Sequence, residues 1–247
     1  MVKPNLKTSS KTIGIIGYGE IGRGLNKVYV EKGFDPLIKD LDRDGDLRNV
    51  DVLNICIPWS KSFVRDVKHY IHQLTPALTI IHSTVPPGTT ENINVEYPNV
   101  VHSPIRGIHP DLDKGIKTFI KVFGGSGAEK AAEHYEQDLH VTSCVYSSSR
   151  ATEVAKLLDT SYYGVCIAWH DYVRQLCEQN GVSFEEAQSH YNITYNEGYQ
   201  ELGKPNVVRP TLTPPEGKIG GHCVVPNAEL LREELDSKLL QAITDLK

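Results

Sequence analysis

The sequence predicts a doubly wound α/β fold, with a parallel sheet followed by a helical domain built on one long central helix. Three observations carry this expectation. Strand-like apolar runs alternate with helix-like ones over roughly the first 145 residues, the pattern of parallel strands joined by crossover helices. Gly17-Tyr18-Gly19-Glu20-Ile21-Gly22 follows the apolar run Thr12–Ile16 and opens a helix-like stretch near Ile21. Residues 150–180 then read as a single helix.

Taken in order, strands are expected at Thr12–Ile16, Pro36–Asp40, Val52–Ile57, Leu78–His82, Val100–Ser103, Phe119–Phe123 and Val141–Tyr146. Helices are expected near Glu20–Lys32, Lys61–Leu74 and Ala128–Asp138. Leu41–Val50 is too short for a full crossover helix, so either that helix is reduced or the second strand is misplaced. In the long helix, Val154, Leu157, Leu158, Val165, Ala168, Tyr172 and Leu176 form one stripe, and Tyr163 and Ile167 face the other way alongside Lys156. A helix apolar on two sides is normally buried between layers, so a second subunit is expected against it and the chain reads as a homodimer. Ser183–Leu202 reads as a further helix and 203–221 as a Pro- and Gly-rich loop. Asn227–Leu246 reads as a closing amphipathic helix capped by Asn227. The domain boundaries this implies are 1–147 and 148–247.

Composition narrows the function classes. A chain of 247 residues with 39% hydrophobic and 23% charged residues is ordinary for a globular enzyme. A net charge of −5 with interspersed signs points away from nucleic acid and anionic membranes. No apolar run approaches a membrane span, and Met1–Lys11 lacks a signal-peptide core. Five irregularly spaced cysteines argue against a disulfide framework and for a reducing cytoplasm. The histidines lack a zinc spacing, so no metal is expected.

The glycine segment has the context of a dinucleotide fingerprint, because it sits between a strand and a helix. Gly17 allows the tight turn, Gly19 lets backbone approach a pyrophosphate, and Gly22 lets helix and strand pack closely. Tyr18, Glu20 and Ile21 complete the loop. Asp40 lies 23 positions after Gly17, where a carboxylate accepts from ribose hydroxyls and repels a 2′-phosphate. NAD is therefore the expected cofactor, with the Rossmann type of fold. Pro58, just past the strand-like run Val52–Ile57, joins the expected cofactor site. Cys223 follows Gly220-Gly221-His222 and precedes a helix, where bare amides favour a thiolate, and the alternative is an exposed structural cysteine. His102 and His109 flank Arg106 at a strand end. Either histidine is a candidate general base, and Arg106 a candidate anion ligand.

Together with the fingerprint, Ser83-Thr84-Val85-Pro86-Pro87-Gly88-Thr89-Thr90, Glu153-Val154-Ala155-Lys156-Leu157 and Gly220-Gly221-His222-Cys223 resemble the nucleotide-sugar dehydrogenases. These are the UDP-glucose/GDP-mannose dehydrogenase family, which oxidise a sugar nucleotide at C6. The resemblance implies a nucleotide-binding domain, a dimer-forming central helix and a C-terminal sugar-nucleotide domain, so the chain reads as a shortened form. It implies Cys223 as nucleophile on an aldehyde, Lys156 as oxyanion stabiliser and Thr84 beside the nicotinamide. Arg209, Thr160 and the Gly220-Gly221-His222 turn would face substrate. Three positions depart from the family pattern: Ile105 stands for a glutamate, Thr160 for an asparagine and Asn227 for an aspartate. His109 is the candidate to replace the missing acid. Two rivals stay open: a two-electron hydroxyacid or alcohol dehydrogenase using Lys156 without covalent catalysis, and a non-catalytic NAD-binding regulator or partner subunit.

Overall fold

A computed structural model describes residues 11–219, 223–235 and 237–246. The chain divides into two compact units, Met1–Lys156 and Leu157–Lys247.

The first unit is an eight-stranded sheet with helices on both faces. In chain order its elements are β1 (Ile13–Ile16), α1 (Glu20–Glu31), β2 (Leu37–Asp40), β3 (Arg43–Asp44), β4 (Val52–Ile55) and α2 (Phe63–Leu74). They continue as β5 (Leu78–Ile81), α3 (Thr89–Asn94), β6 (Val100–His102), α4 (Leu112–Thr118), β7 (Lys121–Gly125), α5 (Ala128–Asp138) and β8 (Ser143–Val145). The strand order is β3-β2-β1-β4-β5-β6-β7-β8. Strands β2, β1, β4, β5 and β6 are parallel; β3 and β7 run antiparallel to β2 and β6, and β8 is parallel to β7. The order reverses at β1, leaving a crevice at the carboxyl ends of β1 and β4, where ligands of such sheets bind.

Every residue of β1, β4 and β5 is buried, as expected where both sheet faces are covered. Period-two alternation sends neighbours to opposite cores. Ile13 and Ile15 join Leu25, Val28 and Tyr29 of α1, whereas Ile16 joins Phe63, Val67 and Ile71 of α2.

The second unit contains most of α6 (Ser149–Asn180), a π-helical turn Glu185–His190, α7 (Tyr191–Glu201), α8 (Val224–Glu234) and α9 (Lys238–Thr244). Val224, Ala228, Leu240 and Ile243 form its small core, closed by Gly164, where a Cβ would come within 2.7 Å of Val224. No helix among the described residues is long and apolar enough to cross a membrane.

Four expectations need correction. The Leu41–Val50 connection holds no helix; it turns back as β3, because Gly45 donates to the Ile38 carbonyl and closes a hairpin. The strand expected at Phe119–Phe123 begins at Lys121, since Leu112–Thr118 coil into α4 and leave Phe119 and Ile120 exposed. The stripe predicted for α6 splits: Leu157 is buried, but Leu158, Tyr172 and Leu176 are exposed. The closing helix is two helices. Asn227 is buried inside α8 rather than capping it, Cys223 is the N-cap residue, and the Ser237 hydroxyl caps α9 by accepting from the Leu239 amide.

Candidate active site

The fingerprint folds as its glycines require. Gly17 takes φ +92°, and a Cβ there would lie 2.7 Å from the Cys56 carbonyl carbon. A Cβ on Gly22 would lie 2.0 Å from the Gly17 oxygen, so only glycine lets α1 leave the strand this tightly. Gly19 differs: a Cβ would meet nothing within 4 Å, and as N-cap of α1 it supplies no side-chain hydrogen bond. The start of this twelve-residue helix therefore carries neither a side chain at its N-cap nor a side-chain cap, an arrangement that suits an anion.

Asp40, at the carboxyl end of β2, turns its carboxylate to this loop. It accepts from the Tyr18 amide at 2.6 Å and the Leu41 amide at 2.7 Å. The Arg43 guanidinium lies 4.5 Å over the Tyr18 ring. Glu20, the first residue of α1, pairs with His109 Nδ1 at 2.8 Å. His109 is thus brought to the fingerprint, while the Lys156 ammonium donates to the Ile105 carbonyl at 3.0 Å. Pro58 is exposed just past the end of β4, and Thr84 is half-buried in the loop after β5.

That loop is fixed from both sides. The Ser83 hydroxyl donates to the Ile57 carbonyl at 2.6 Å. Glu153, buried in the first turns of α6, accepts from the Gly88 amide at 2.6 Å and the Thr90 amide at 2.9 Å. Burial raises the Glu153 carboxyl above its usual range, opposed by these bonds. Three residues on, Lys156 occupies the same stretch of helix, so one helix holds both the Thr84 loop and the Ile105 carbonyl. The resemblance marked the Glu153 segment for its lysine; the positioning role of the glutamate has no local signature.

The neighbouring candidates are otherwise engaged. The Arg106 guanidinium donates to the Ile120 carbonyl and lies 5.1 Å over the Phe119 ring. His102 is fully buried between Thr152 Oγ1 at 2.8 Å and the Ser83 carbonyl at 3.1 Å. Burial pushes its pKa down to about 3, so it is a neutral structural ring and not an accessible base. Ile105 points into the core, so where the resemblance expects a carboxylate there is an apolar anchor. Beneath it lies Lys121, which donates to the Ser103 and Pro104 carbonyls at 2.7 and 2.9 Å. Burial holds this amine well below the usual lysine range. Only a lysine amid the apolar residues Phe119–Phe123 could have pointed to it.

In the second unit, Cys223 is exposed at the start of α8, and its carbonyl accepts from the Asn227 amide at 3.1 Å. Thr160 is buried in α6. The Arg209 guanidinium stacks 3.6 Å over the Tyr195 ring, and its backbone amide and carbonyl both bond to the Asn196 side chain. Gly220, Gly221 and His222 lie outside the described residues.

No family model matches the chain. Among curated proteins, the UDP-N-acetyl-D-mannosamine dehydrogenase of Methanocaldococcus jannaschii is 25% identical, covering 96% of this chain and 62% of that enzyme. The chain therefore spans about 62% of the length of that relative. Among solved structures, the UDP-D-ManNAc dehydrogenase of Pyrococcus horikoshii superposes with a TM-score of 0.80 at 19% identity, covering 95% of this chain and 68% of that one. A 3-hydroxyisobutyrate dehydrogenase of Mycobacterium tuberculosis gives 0.70 at 17% identity, covering 96% and 92%. The sequence relatives are thus nucleotide-sugar dehydrogenases, and the fold is shared with hydroxyacid dehydrogenases as well.

Proposed function

We propose, for a chain whose sequence relatives are nucleotide-sugar dehydrogenases, that it is an NAD-dependent oxidoreductase acting on a CH–OH group. The observation that supports this reading is the α1 start at Gly19, which has no side-chain cap and no atom within 4 Å of where a Cβ would lie, with Asp40 accepting from the Tyr18 amide of the same loop. Gly17–Gly22 would hold the diphosphate, Asp40 the ribose, and Pro58 and Thr84 the nicotinamide half. When bound, the nicotinamide accepts the hydride that leaves the carbinol carbon.

The chain's own residues supply the rest. Lys156, held by the Ile105 carbonyl, places positive charge where the carbinol oxygen gives up its proton to water. Glu153 keeps the Thr84 loop in register with that lysine. In the covalent form of the reading, the Cys223 thiolate adds to the first-formed aldehyde, the resulting thiohemiacetal gives its hydride to a second NAD, and water hydrolyses the thioester to release the acid and the thiol. The two-electron form stops at the carbonyl. It is favoured by Ile105, whose side chain is a core anchor where the relatives' pattern has an acid, and by Asn227, an amide in place of a carboxylate. A second copy of the chain is proposed on the exposed α6 side chains Leu158, Tyr162, Tyr172 and Leu176.

The test is calorimetric NAD titration followed by NADH absorbance with UDP-N-acetyl-D-mannosamine and 3-hydroxyisobutyrate. Two NADH per substrate, falling to one or none in Cys223→Ser, supports covalent chemistry. One NADH, insensitive to Cys223→Ser but lost in Lys156→Met, supports the two-electron form. Absence of NAD binding would remove the oxidoreductase reading altogether.

A further inference from the structure

A cavity of about 510 Å³ lies wholly within the second unit, between α6, the π-helical turn with α7, and the loop before α8. Its volume falls in the range of small-ligand sites. Asn192 lines it and is only 6% exposed, yet its side-chain amide has no hydrogen-bond partner among the described residues. An unpaired amide on a nearly buried residue that lines a cavity is poised for an incoming donor and acceptor. Gln188 lines the same wall, its amide nitrogen 3.4 Å from the His170 ring. That ring is itself buried and fixed, by Nδ1 to the Cys166 carbonyl at 2.6 Å and by Nε2, which accepts from the Leu212 amide at 3.3 Å.

Two further features define the ligand. Trp169 and Pro210 give apolar walls, and the indole is 55% exposed. Arg209 stands at the rim with its backbone pinned by Asn196 and its guanidinium stacked on Tyr195. Its guanidinium rests on the Tyr195 face rather than on a carboxylate among the described residues. A stacked guanidinium keeps its planar fork for an oxyanion, and phosphate matches it. Asn and Gln amides read the hydrogen-bonding edge of a nucleobase bidentately, and an aromatic face stacks any base.

We infer that this cavity binds a nucleoside monophosphate moiety, with its base against Trp169 and Pro210, its edge on Asn192 and Gln188, and its phosphate on Arg209. The inference rests on the proposed class of substrate and gives it a place in the second unit. It is separate from dinucleotide binding, which belongs to the first unit.

Trp59 and Trp169 are the two tryptophans, so Trp59→Phe leaves Trp169 as the sole tryptophan reporter under tryptophan-selective excitation. UMP and AMP are titrated separately into this protein, with inorganic phosphate as control. Saturable quenching by one or both nucleotides is expected, weakened about tenfold or more by Arg209→Gln and by Asn192→Ala. Asn192→Asp and Arg209→Lys, checked by helical circular dichroism, guard against loss of fold. UMP quenching without AMP quenching identifies a pyrimidine edge, and the reverse a purine edge. No saturable quenching into the millimolar range overturns the inference. So do equal quenching by phosphate alone, an unchanged response in the Arg209 and Asn192 variants, or quenching that follows protein dilution rather than nucleotide. Calorimetric NAD titration on the full chain separates the two readings. Lost NAD binding with retained UMP or AMP quenching defeats the dinucleotide site and leaves this cavity standing; the opposite pattern does the reverse.

Discussion

Replacing Glu153 by alanine tests how the Thr84 loop is held. The Gly88 and Thr90 amides, 65 and 63 residues away in sequence, both donate to this carboxylate. Neither end of α3 has another side-chain cap, and its N-cap Gly88 sits at φ 89°. Each buried donor left without an acceptor costs about 1–3 kcal/mol. Relief of the carboxylate's own burial, which raises its pKa, returns part of that loss. A net destabilisation of about 2–4 kcal/mol is expected, or roughly 5–15 °C in Tm at about 2–4 °C per kcal/mol. Glu153→Gln keeps the volume but turns an NH2 toward one of the two donors, so it falls between. The pH dependence has a defined sign. A carboxyl whose folded pKa is raised contributes stability that is full below its unfolded value of 4.5 and lost as pH rises through the folded one. The advantage of wild type over Glu153→Gln should therefore grow as pH falls from 7 toward 4.5. Scanning calorimetry across that range, with hydrogen exchange of the Val85–Ile93 amides, reads both effects. A Tm for Glu153→Ala equal to or above wild type would refute the reasoning.

Three other outcomes follow from the same geometry. NAD should bind more tightly than NADP, and Asp40→Asn should narrow the gap; calorimetric titration showing equal affinities in the wild type would remove Asp40 from the ribose. Leu158→Asp with Tyr172→Asp should turn a dimer into a monomer in light scattering, because the four α6 side chains are 44–64% exposed; a wild-type monomer at micromolar concentration would dismiss that interface. Stability should fall with acid below pH 6.5, since burial depresses His82, His102 and His134 and such groups lose stability as pH falls through and below the unfolded value. Each depressed histidine contributes a slope of up to about 1.4 kcal/mol per pH unit, so His102→Gln should flatten urea-denaturation stability between pH 6 and 4 by about that amount. An unchanged slope would mean the ring is not buried neutral.

The parts of the fold legible in sequence are those set by local pattern. The apolar runs of β1, β4 and β5 need no partner to be recognised, and Ala128–Asp138 matches α5 residue for residue. The fingerprint is legible for the same reason: Gly17 and Gly22 answer to steric contacts within six residues and one neighbouring strand. What escaped is held by distant partners. The six-residue α3 is capped by Glu153, and α4 is tied to α1 by Lys27 to Asp113 and Lys117 to Glu31. Helices that short have little stability of their own, so no window of sequence announces them.

Ile105 brings the two kinds of information together. Read against the resemblance, it is a missing acid, and its loss weakens the case for covalent chemistry. In the fold it joins Leu112 and Ile116 of α4 in the core, while its carbonyl accepts from Lys156. A glutamate there would have to bury its charge among those side chains or turn outward and release α4 from its anchor. The same α4 segment closes over α1 and follows the turn that brings His109 to Glu20. Where the resemblance expects a proton-transfer group, the fold therefore has an apolar anchor that fixes the loop. On the proposed reading, this loop leaves Lys156 to polarise the carbinol oxygen, with later proton transfer left to water.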